Sequence, residues 1–463
     1  MAGYQGIVYA ADHGADIISC SWGSNTPEPY GQDVIRYATI NKQKIILAAA
    51  GNSNNTLPFY PASYEYVIGV AATQQTDLKS SNSSYYTFVD ISAPGQAIFN
   101  TYANGWGMGN GTSDATSIAA GGTALVMSYH NNLNAWQAGA LIQQTAYSLD
   151  TIPGNAPYAK QLGSGRLDLW RAISQPQRAF IHMTERQYTN HHDNFFLIGD
   201  TVWLSGNYLN ILANSTSNLK AKLISQNPYV TIIDSIVSIG QCNALQNASP
   251  TDSFAFIVNP ACPVNYSALF KIDYDDNGFT NHQFIYVFIN PEFYTSSNHG
   301  LVTTLTSTGR IGFNDNASAE GSGYRIKDKP NQLLQLYFNP MGFWIGAANK
   351  VSNQTLSSPM GPCCPFNNDN HFVNVNPLYR ITPPLLAQTE YKRSYTDANA
   401  GADQHHIRIT QTDYFNSNTY YDSLRILIRY EIQNQDSIGK NHLFSGIVSD
   451  FDVLDTIFDF TPN

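Results

Sequence analysis

The chain has 463 residues, enough for two or three domains, and 43% of them are hydrophobic, enough for packed cores. Its formal net charge of -10 and the lack of a basic stripe exclude a typical nucleic-acid-binding protein. No stretch is long and apolar enough to span a bilayer, so we expect no membrane-spanning segment.

The first 175 residues alternate helix and strand signals. Predicted helices lie at 7–11, 33–39, 113–129 and 137–147, and predicted strands at 16–22, 44–50 and 66–72. The strands are short apolar runs, which are typical of a parallel sheet covered on both faces. The helix predicted at 113–129 has small and apolar residues on nearly all of its sides, so we expect it to be buried. This alternation predicts an α/β domain over residues 1–175 with a parallel sheet and flanking helices.

The pattern changes after residue 175 to β-type runs separated by turn residues, with no convincing amphipathic helix. The predicted strands include 195–198, 201–204, 230–233, 254–258, 284–289, 333–338 and 424–430. Their spacing favours two all-β, sandwich-like domains, at 176–291 and 292–463. Within the first of them, the Asp-Tyr-Asp-Asp-Asn-Gly run at 273–278 has the start of a calcium loop but lacks its final Glu. We interpret it as a hairpin turn, with a weak cation site as the alternative.

The five cysteines do not form the framework of a small disulfide-rich protein. Cys242 and Cys262 flank one β segment and are candidates for a disulfide bond. Cys363 and Cys364 are adjacent, and neighbouring cysteines rarely bond to each other. The odd count leaves at least one thiol free.

A glycine-rich turn at 109–111 delivers Ser113 to the start of the helix predicted at 113–129. A helix start presents unpaired backbone N–H groups and a partial positive charge. The N–H of Ser113 would therefore stabilise an oxyanion that forms beside its own hydroxyl. The alternative is that Thr112 or Ser113 only caps the helix.

A second candidate site residue, Asn52, follows directly after the apolar strand at 44–50. The carboxyl ends of parallel strands are where active-site residues collect in α/β sheets. An Asn amide in this position can donate to a developing oxyanion. Alone, the Gly51–Asn52 pair is equally typical of a simple turn.

Taken together and in order, these motifs resemble those of the subtilisin-like serine peptidases over residues 6–173. The matching runs are Ser-Trp-Gly at 21–23, Ala-Ala-Gly-Asn at 49–52, Tyr-Pro-Ala at 60–62, Asp-Ile-Ser-Ala-Pro-Gly at 90–95, Gly-Thr-Ser at 111–113 and Gly-Ser-Gly at 163–165. The resemblance implies that Ser113 is the nucleophile and that Asn52 belongs to the oxyanion hole. It also implies substrate contacts from Ser21, Trp22, Gly23, Ala49, Ala50 and Gly51. The implied substrate is a protein or peptide, with no cofactor; calcium is conceivable, but no specific motif supports a metal.

Two departures from the family pattern bear on activity. The family usually continues the nucleophile motif as Met-Ala-Ser-Pro-His, whereas Asp114 follows the serine here, with Ser117 and Ile118 in place of Pro and His. A carboxylate beside the nucleophile opposes formation of an oxyanion. The family's catalytic Asp and His lie well before the Ser-x-Gly strand, and only twenty residues precede Ser21.

We therefore expect the chain to be the C-terminal part of a peptidase domain, without its triad Asp and His and inactive by itself. His13, Asp12 and Asp16 lie outside the family's motifs, and His13 is interpreted as a solvated histidine at a helix end. The paired histidines at 191–192 and 405–406 are interpreted as polar loop residues.

Three interpretations of function remain open. The first is a secreted endopeptidase, since Tyr-rich, Asn-rich and Lys-poor chains are commonly extracellular or on the cell surface. The second is a non-catalytic protease remnant that acts as a binding or structural protein. The third places the function in the β domains, through contact with a cell surface or a glycan, although nothing in residues 180–463 names a ligand.

Overall fold

The computed structural model describes residues 2–452 apart from 29, 103–104, 193, 299–300, 313, 316–319, 322, 330–331, 348–349, 354–370, 417–424 and 438–442. Cys363 and Cys364 lie outside the described residues. No helix in the described ranges combines the length and apolar character that crossing a membrane requires.

The N-terminal part is built on a parallel sheet, as the sequence predicts. Its helices are α1 (Ala2–Asp12), α2 (Gly31–Arg36, continued by a π-helical turn at Tyr37–Asn41), α3 (Thr112–Tyr129), α4 (Ala135–Gln144) and α5 (Leu169–Ser174). Its strands are β1 (Ile17–Cys20), β2 (Ile45–Ala49), β3 (Val67–Thr73), β4 (Ile91–Pro94), β5 (Gln96–Tyr102) and β6 (Gly105–Asn110). Strands β1 to β4 pair in sequence order, all parallel, and β5 and β6 form a separate antiparallel hairpin.

Helices cover both faces of this sheet, which is why β2 and β3 are buried along their whole length. One face packs on α3 and α4 through residues such as Leu47, Val70 and Leu141. The other face packs on α1 and α2 through Ile46, Ile7 and Ile35. The confirmed layering places the carboxyl ends of β1 and β2 beside the start of α3.

Helix α3 departs from the expectation that it is buried all round. Its inner face is closed, with Ala115, Ala119 and Val126 fully buried, but Leu125 and Tyr129 are 63% and 64% exposed. The expectation is wrong for this outer face because no described residue packs over it. Strand β1 is also at the edge of the sheet, since β2 is its only partner among the described strands.

Residues 181–289 form two antiparallel sheets that share one core. The strands are β7 (Ile181–Thr189), β8 (Thr201–Asn210), β9 (Lys220–Ile224), β10 (Val230–Asp234), β11 (Ile236–Ser238), β12 (Gln246–Ala248), β13 (Phe254–Val258), β14 (Tyr266–Asp276) and β15 (Phe279–Ile289). One sheet has the order β10-β13-β8-β12 with β7 on β8, and the other has β11-β9-β14-β15. Buried Phe254 and Phe256 from the first sheet meet Phe270 from the second. We call residues 181–289 the two-sheet unit.

Two sequence predictions about this unit have clear outcomes. The turn at 277–278 joins β14 to β15, and Asn277 and Gly278 have φ angles of 55° and 84°, so the hairpin interpretation is confirmed. The strand predicted at 195–198 is wrong, because the segment is a loop. Asp200 accepts from the Leu197 N–H at 2.9 Å, and this bond holds the backbone in a turn instead of a ladder.

The predicted Cys242–Cys262 disulfide is also wrong. Both cysteines are free and buried in the core of the two-sheet unit, as Cys20 is in the parallel-sheet part. Each sulfur has a nearby carbonyl as partner, Gln246 O of β12 at 3.3 Å for Cys242 and Pro263 O at 3.4 Å for Cys262. The two thiols therefore pack as small apolar side chains, separately.

The remaining described residues are again β-structure. The strands are β16 (Phe293–Asn298), β17 (Leu301–Thr306), β18 (Asn314–Asp315), β19 (Glu320–Gly321), β20 (Tyr324–Lys329), β21 (Gln332–Ala347), β22 (Lys350–Asn353), β23 (Val373–Arg380), β24 (Thr389–Thr396), β25 (Ile407–Phe415), β26 (Ile426–Asn434) and β27 (Phe444–Asp452). They form a sheet β16-β17-β20-β21-β22 with β27 on β21, a small pair β18-β19, and a sheet β23-β24-β25-β26. The all-β character of this part is thereby confirmed. The exact domain bounds drawn from the sequence stay predictions.

Candidate active site

Ser113 lies in the first turn of α3, at the end of the glycine-rich turn that follows β6. Gly111 precedes the helix in a fully extended conformation and donates its N–H to Gly95 O at 2.8 Å. This bond ties the base of the β5–β6 hairpin to the helix start. Gly111, the N-cap residue, supplies no side-chain cap to the helix.

Asn52 is held against the same helix start by its side-chain oxygen. Gly51 turns the chain after β2 with a φ of 99°, and Asn52 Oδ1 then accepts from Thr112 N at 2.8 Å and from Thr112 Oγ1 at 3.0 Å. A backbone N–H can only donate, so the atom that faces Thr112 is the amide oxygen, and the NH₂ group is not used in these two bonds. Asn52 is exposed, which leaves this NH₂ group able to donate to a bound group.

Thr112 is a residue that the sequence analysis missed as a positioning group. It is fully buried, and its hydroxyl also accepts from the Gly51 N–H at 3.2 Å. Thr112 thus bridges the end of β2 to the start of α3. The only signal in the sequence is its place next to Ser113, which by itself is equally typical of a helix cap.

Ser21 lies directly beside Ser113. The Ser21 hydroxyl donates to Ser113 O at 3.0 Å, and the Ser113 hydroxyl donates to Ser21 O at 3.3 Å. The segment formed by Ser21, Trp22 and Gly23 is exposed and follows the end of β1. The segment therefore lies beside the candidate nucleophile and is open to a partner.

The predicted pocket residues Ala49, Ala50 and Gly51 lie at the buried end of β2. Their exposed fractions are small, with Ala50 fully buried and held by its N–H to Val70 O at 3.0 Å. Gly51 faces Phe59, and a Cβ built on it would lie 3.2 Å from that ring. Their role in binding substrate stays a prediction.

The acidic and imidazole groups near the chain start are engaged elsewhere. His13 Nδ1 lies 2.8 Å from Tyr9 O, and its ring stacks on the Tyr9 ring at the exposed end of α1. Asp12 pairs with Lys42 at 2.7 Å, and Asp16 pairs with Lys44 at 3.0 Å. The hydroxyl of Ser113 has a carbonyl as its acceptor, and a carbonyl cannot take up a proton as a general base does.

Asp114 has a partner that the sequence does not reveal. Its carboxylate accepts a short hydrogen bond from Asn100 Nδ2, on strand β5. The bond joins the hairpin to the residue after the candidate nucleophile. Nothing in the spacing of positions 100 and 114 points to this contact, because it depends on the register of β5 against β6.

Lys79 stabilises the loop behind Asn52. It is buried, and its ammonium donates to Asn54 Oδ1 at 2.7 Å, Ser83 O at 2.8 Å and Ser80 O at 2.9 Å. No carboxylate partners it, and desolvation lowers its pKa to about 8. Since Asn54 follows Asn52 by two residues, this cage of oxygens fixes the loop that presents the amide.

In the described part of the chain, no group of three or more His, Cys, Asp or Glu side chains is arranged to hold a metal ion. Asp90, in the matching Asp-Ile-Ser-Ala-Pro-Gly run, accepts from the Gly69 N–H at 2.7 Å. Desolvation raises the pKa of this carboxyl to about 7.

Comparison with known proteins finds similarity over the N-terminal part. Residues 2–188 match the model of the Subtilase family. Thermitase from Thermoactinomyces vulgaris is 41% identical over 170 residues, which are 36% of this chain and 58% of thermitase. A thermophilic serine proteinase from Bacillus sp. (strain AK1) is 40% identical over 170 residues, 36% of this chain and 40% of that protein.

A cell wall-associated protease from Bacillus subtilis (strain 168) is 35% identical over 152 residues, 32% of this chain and 17% of its own length. The chain thus spans between 40% and 58% of the first two relatives. The match to the family model ends at residue 188, so it does not extend to the β-structure that follows.

Proposed function

We propose that the chain is part of a serine endopeptidase of the subtilase family, whose model residues 2–188 match, and that it acts through an acyl-enzyme on Ser113. The observation that carries the proposal is the convergence of Asn52 and Ser113 on the start of α3. In acyl transfer, the serine hydroxyl attacks the peptide carbonyl, and negative charge develops on its oxygen. The Ser113 N–H and the NH₂ group of Asn52 are the two donors available for that charge.

The orientation of Asn52 supports this role in particular. Two hydrogen bonds from Thr112 fix the amide oxygen, at 2.8 and 3.0 Å, and the donor is therefore set before any substrate arrives. A donor that needs no reorganisation is worth more to catalysis than a free side chain. Removing one such donor costs roughly 3 kcal/mol of transition-state stabilisation.

Substrate would bind along the exposed segment Ser21–Gly23. An extended peptide can pair with such a backbone as an added strand, which aligns its scissile carbonyl without contacts to a particular sequence. The two hydrogen bonds between Ser21 and Ser113 keep this segment next to the nucleophile. This supports a protein or peptide as the substrate.

We propose that the general base and its orienting acid come from sequence outside this chain. The support is the bond from the Ser113 hydroxyl to Ser21 O, where an active enzyme needs an imidazole. Further support comes from the uncovered outer face of α3 and the free edge of β1, which together form a surface where further strands and helices would pack.

We also propose an extracellular or cell-surface location. The support is the composition, with 29 tyrosines but only 24 Lys and Arg residues, and the likeness to a cell wall-associated protease. The β-structure after residue 188 would position the peptidase or contact a surface or a glycan.

A fluorophosphonate probe, which labels activated serines, tests the proposal. We expect no labelling of Ser113 in this chain by itself. We expect labelling when the chain is extended at its N terminus by the residues encoded upstream, provided that they carry the Asp and His motifs. Ser113→Ala in the extended chain is the control. Labelling of the unextended chain would contradict the proposed origin of the base.

The second candidate is a non-catalytic protease remnant. The presence of Asp114 beside the nucleophile, bonded to Asn100, favours it because the carboxylate adds negative charge where an oxyanion would form. An N-terminally extended chain that carries both motifs, folds and still fails to react with the probe would establish this candidate and overturn the enzyme.

A further inference from the structure

The β5–β6 hairpin carries an exposed apolar face. Phe99, Trp106 and Met108 are 64%, 70% and 62% exposed. Phe99 lies opposite Met108 in the register, and Trp106 is two residues before Met108, so all three point to one side of the hairpin. The rings of Phe99 and Trp106 stack with their centroids 5.6 Å apart and their planes 7° from parallel. We call these three side chains the hairpin platform.

The hairpin platform is unlike the scattered exposed apolar residues that are normal on a protein surface. Two parallel rings and a thioether next to each other form a contiguous patch, and such patches mark interaction sites. A two-stranded hairpin is also only marginally stable by itself. Stacking between Phe99 and Trp106 contributes to the stability of the hairpin, but the two rings are still 64% and 70% exposed, so their outer surface is open to a further contact.

One hydrogen bond closes the base of the hairpin, and two others join it to the start of α3. The Ala97 N–H donates to Asn110 Oδ1 at 2.8 Å, and the Gly111 N–H donates to Gly95 O at 2.8 Å. Asn100 Nδ2 donates to the carboxylate of Asp114. The position of the platform relative to Ser113 is therefore fixed.

The platform is also close enough to reach the same ligand as Ser113. Met108 precedes Ser113 by five residues. At about 3.4 Å per residue, the two lie at most about 17 Å apart, which equals about five residues of an extended peptide. A polypeptide bound at Ser113 can thus lay a side chain on the platform.

We propose that the hairpin platform is a substrate subsite that binds aromatic or large apolar side chains of a polypeptide, within about five residues of the scissile bond. The inference rests on the proposed peptidase function and adds a preference to it. Asp114 then has a task in the site, since it anchors the strand that carries Phe99. This anchoring is a physical reason for Asp114 to stand where the family usually has Met.

Peptide binding to the chain itself tests this subsite, because binding needs no catalytic base. The probe is a fluorescein-labelled peptide of twelve residues, made of Gly and Ser with two Phe residues. The control peptide is the same except that Ser replaces both Phe residues. Fluorescence anisotropy should show about tenfold tighter binding of the Phe peptide. The double variant Phe99→Ala/Trp106→Ala should lose that preference. Trp170→Ala, at an exposed tryptophan on α5, should keep it.

Two results would overturn the subsite. One is an unchanged preference for the Phe peptide in Phe99→Ala/Trp106→Ala. The other is a dimer, seen by analytical ultracentrifugation, that the double variant dissociates while neither peptide binds; the platform would then be a contact between two copies.

Failure of the proposed function has a separate signature. In the N-terminally extended chain, the double variant should raise KM for the Phe peptide about tenfold and leave kcat unchanged. An extended chain that never reacts with the fluorophosphonate probe would refute the peptidase, whereas the anisotropy preference would still report the platform.

Discussion

The carboxylate of Asp114 has opposite effects on the two structures next to it. In the first turn of α3 it complements the positive end of the helix dipole and holds Asn100 of the hairpin. Toward Ser113 it adds a negative charge near the position where an oxyanion would form. Local stability and chemical reactivity therefore conflict at this one residue.

Asp114→Asn should separate these effects. An Asn oxygen can still accept from Asn100, so we expect the hairpin to keep its place. Loss of the charge should lower the free energy of unfolding by about 0.5 kcal/mol. It should also raise the rate of fluorophosphonate labelling of the extended chain about threefold, which corresponds to the loss of about 0.6 kcal/mol of repulsion between neighbouring charges in water.

Urea unfolding measures the change in the free energy of unfolding, and labelling kinetics measure the change in the reactivity of Ser113. Asp168→Asn, at the cap of α5 away from Ser113, is the matched control for stability, since its carboxylate accepts from the Arg171 N–H. A slower labelling rate in Asp114→Asn would show that anchoring the hairpin outweighs the repulsion.

At the scale of elements, the turn after β2 decides where the Asn52 amide points. Gly51 has a φ of 99°, which side chains other than glycine rarely adopt, and an added Cβ would contact Phe59 and Ser84 at 3.2–3.3 Å. Gly14 offers a matched comparison, since its φ is 88° but nothing lies within 4 Å of its Cβ position.

Gly51→Ala should lower the free energy of unfolding by about 2 kcal/mol, from backbone strain and crowding together. It should also slow labelling of Ser113 in the extended chain, because the turn that presents Asn52 must shift. Gly14→Ala should cost about 1 kcal/mol and leave labelling unchanged. Equal labelling rates for both variants would show that the turn does not position the amide.

Local patterns in the sequence are sufficient for the elements that hold the site. The apolar runs of β2 and β3 and the glycine-rich start of α3 each carry their signal within a few residues. Contacts that depend on long-range register are not predictable in this way, such as Asn100 with Asp114 or Thr112 with Asn52. Phe195 shows the same limit, since its apolar run resembles a strand, but the ring is buried against Leu301 and Tyr391 from distant strands.

At the scale of the whole molecule, the parallel-sheet part and the two-sheet unit share packing. Leu212 of the two-sheet unit and Phe180, the residue just before it, belong to the same buried cluster as Leu141 of α4. Tyr286 and Thr87 join their hydroxyls at 2.9 Å across the contact. An ion pair between Arg186 and Glu65 lies on the same side.

Residues 1–175 expressed alone should therefore aggregate, because they lose Phe180 and Leu212 from their core and expose that surface. Residues 1–291 should remain monodisperse and unfold in one cooperative transition. Size-exclusion chromatography and calorimetry compare the two fragments directly. A monodisperse 1–175 fragment with a cooperative transition would contradict the shared core.

The same contact should weaken in acid. Desolvation lowers the pKa of His182, beside the Tyr66 ring at 5.4 Å, to about 4, and that of His282 likewise to about 4. An unfolded histidine has a pKa near 6.5, so the folded state binds fewer protons between these values. The stability that neutral His182 contributes is complete above about pH 6.5 and is lost as the pH falls toward about 4.

His182→Gln should flatten the fall in the free energy of unfolding between pH 6.5 and 4, by on the order of 2 kcal/mol at the acid end. Gln is neutral at every pH and can still bond to Gln283, the amide partner of His182 at 3.1 Å. His192→Gln, at an exposed loop histidine, is the control and should leave the profile unchanged. If the unmodified protein and both variants lose stability equally as the pH falls, His182 is excluded as the source of the pH dependence.

The free thiol of Cys20 has a consequence for the edge of the parallel sheet. Burial raises its pKa to about 12, and its side chain is almost inaccessible although β1 has only one neighbouring strand in the described part of the chain. A sulfhydryl reagent can react with this sulfur only after β1 has separated from β2. The rate of that reaction therefore measures how often the sheet edge next to Ser21 opens.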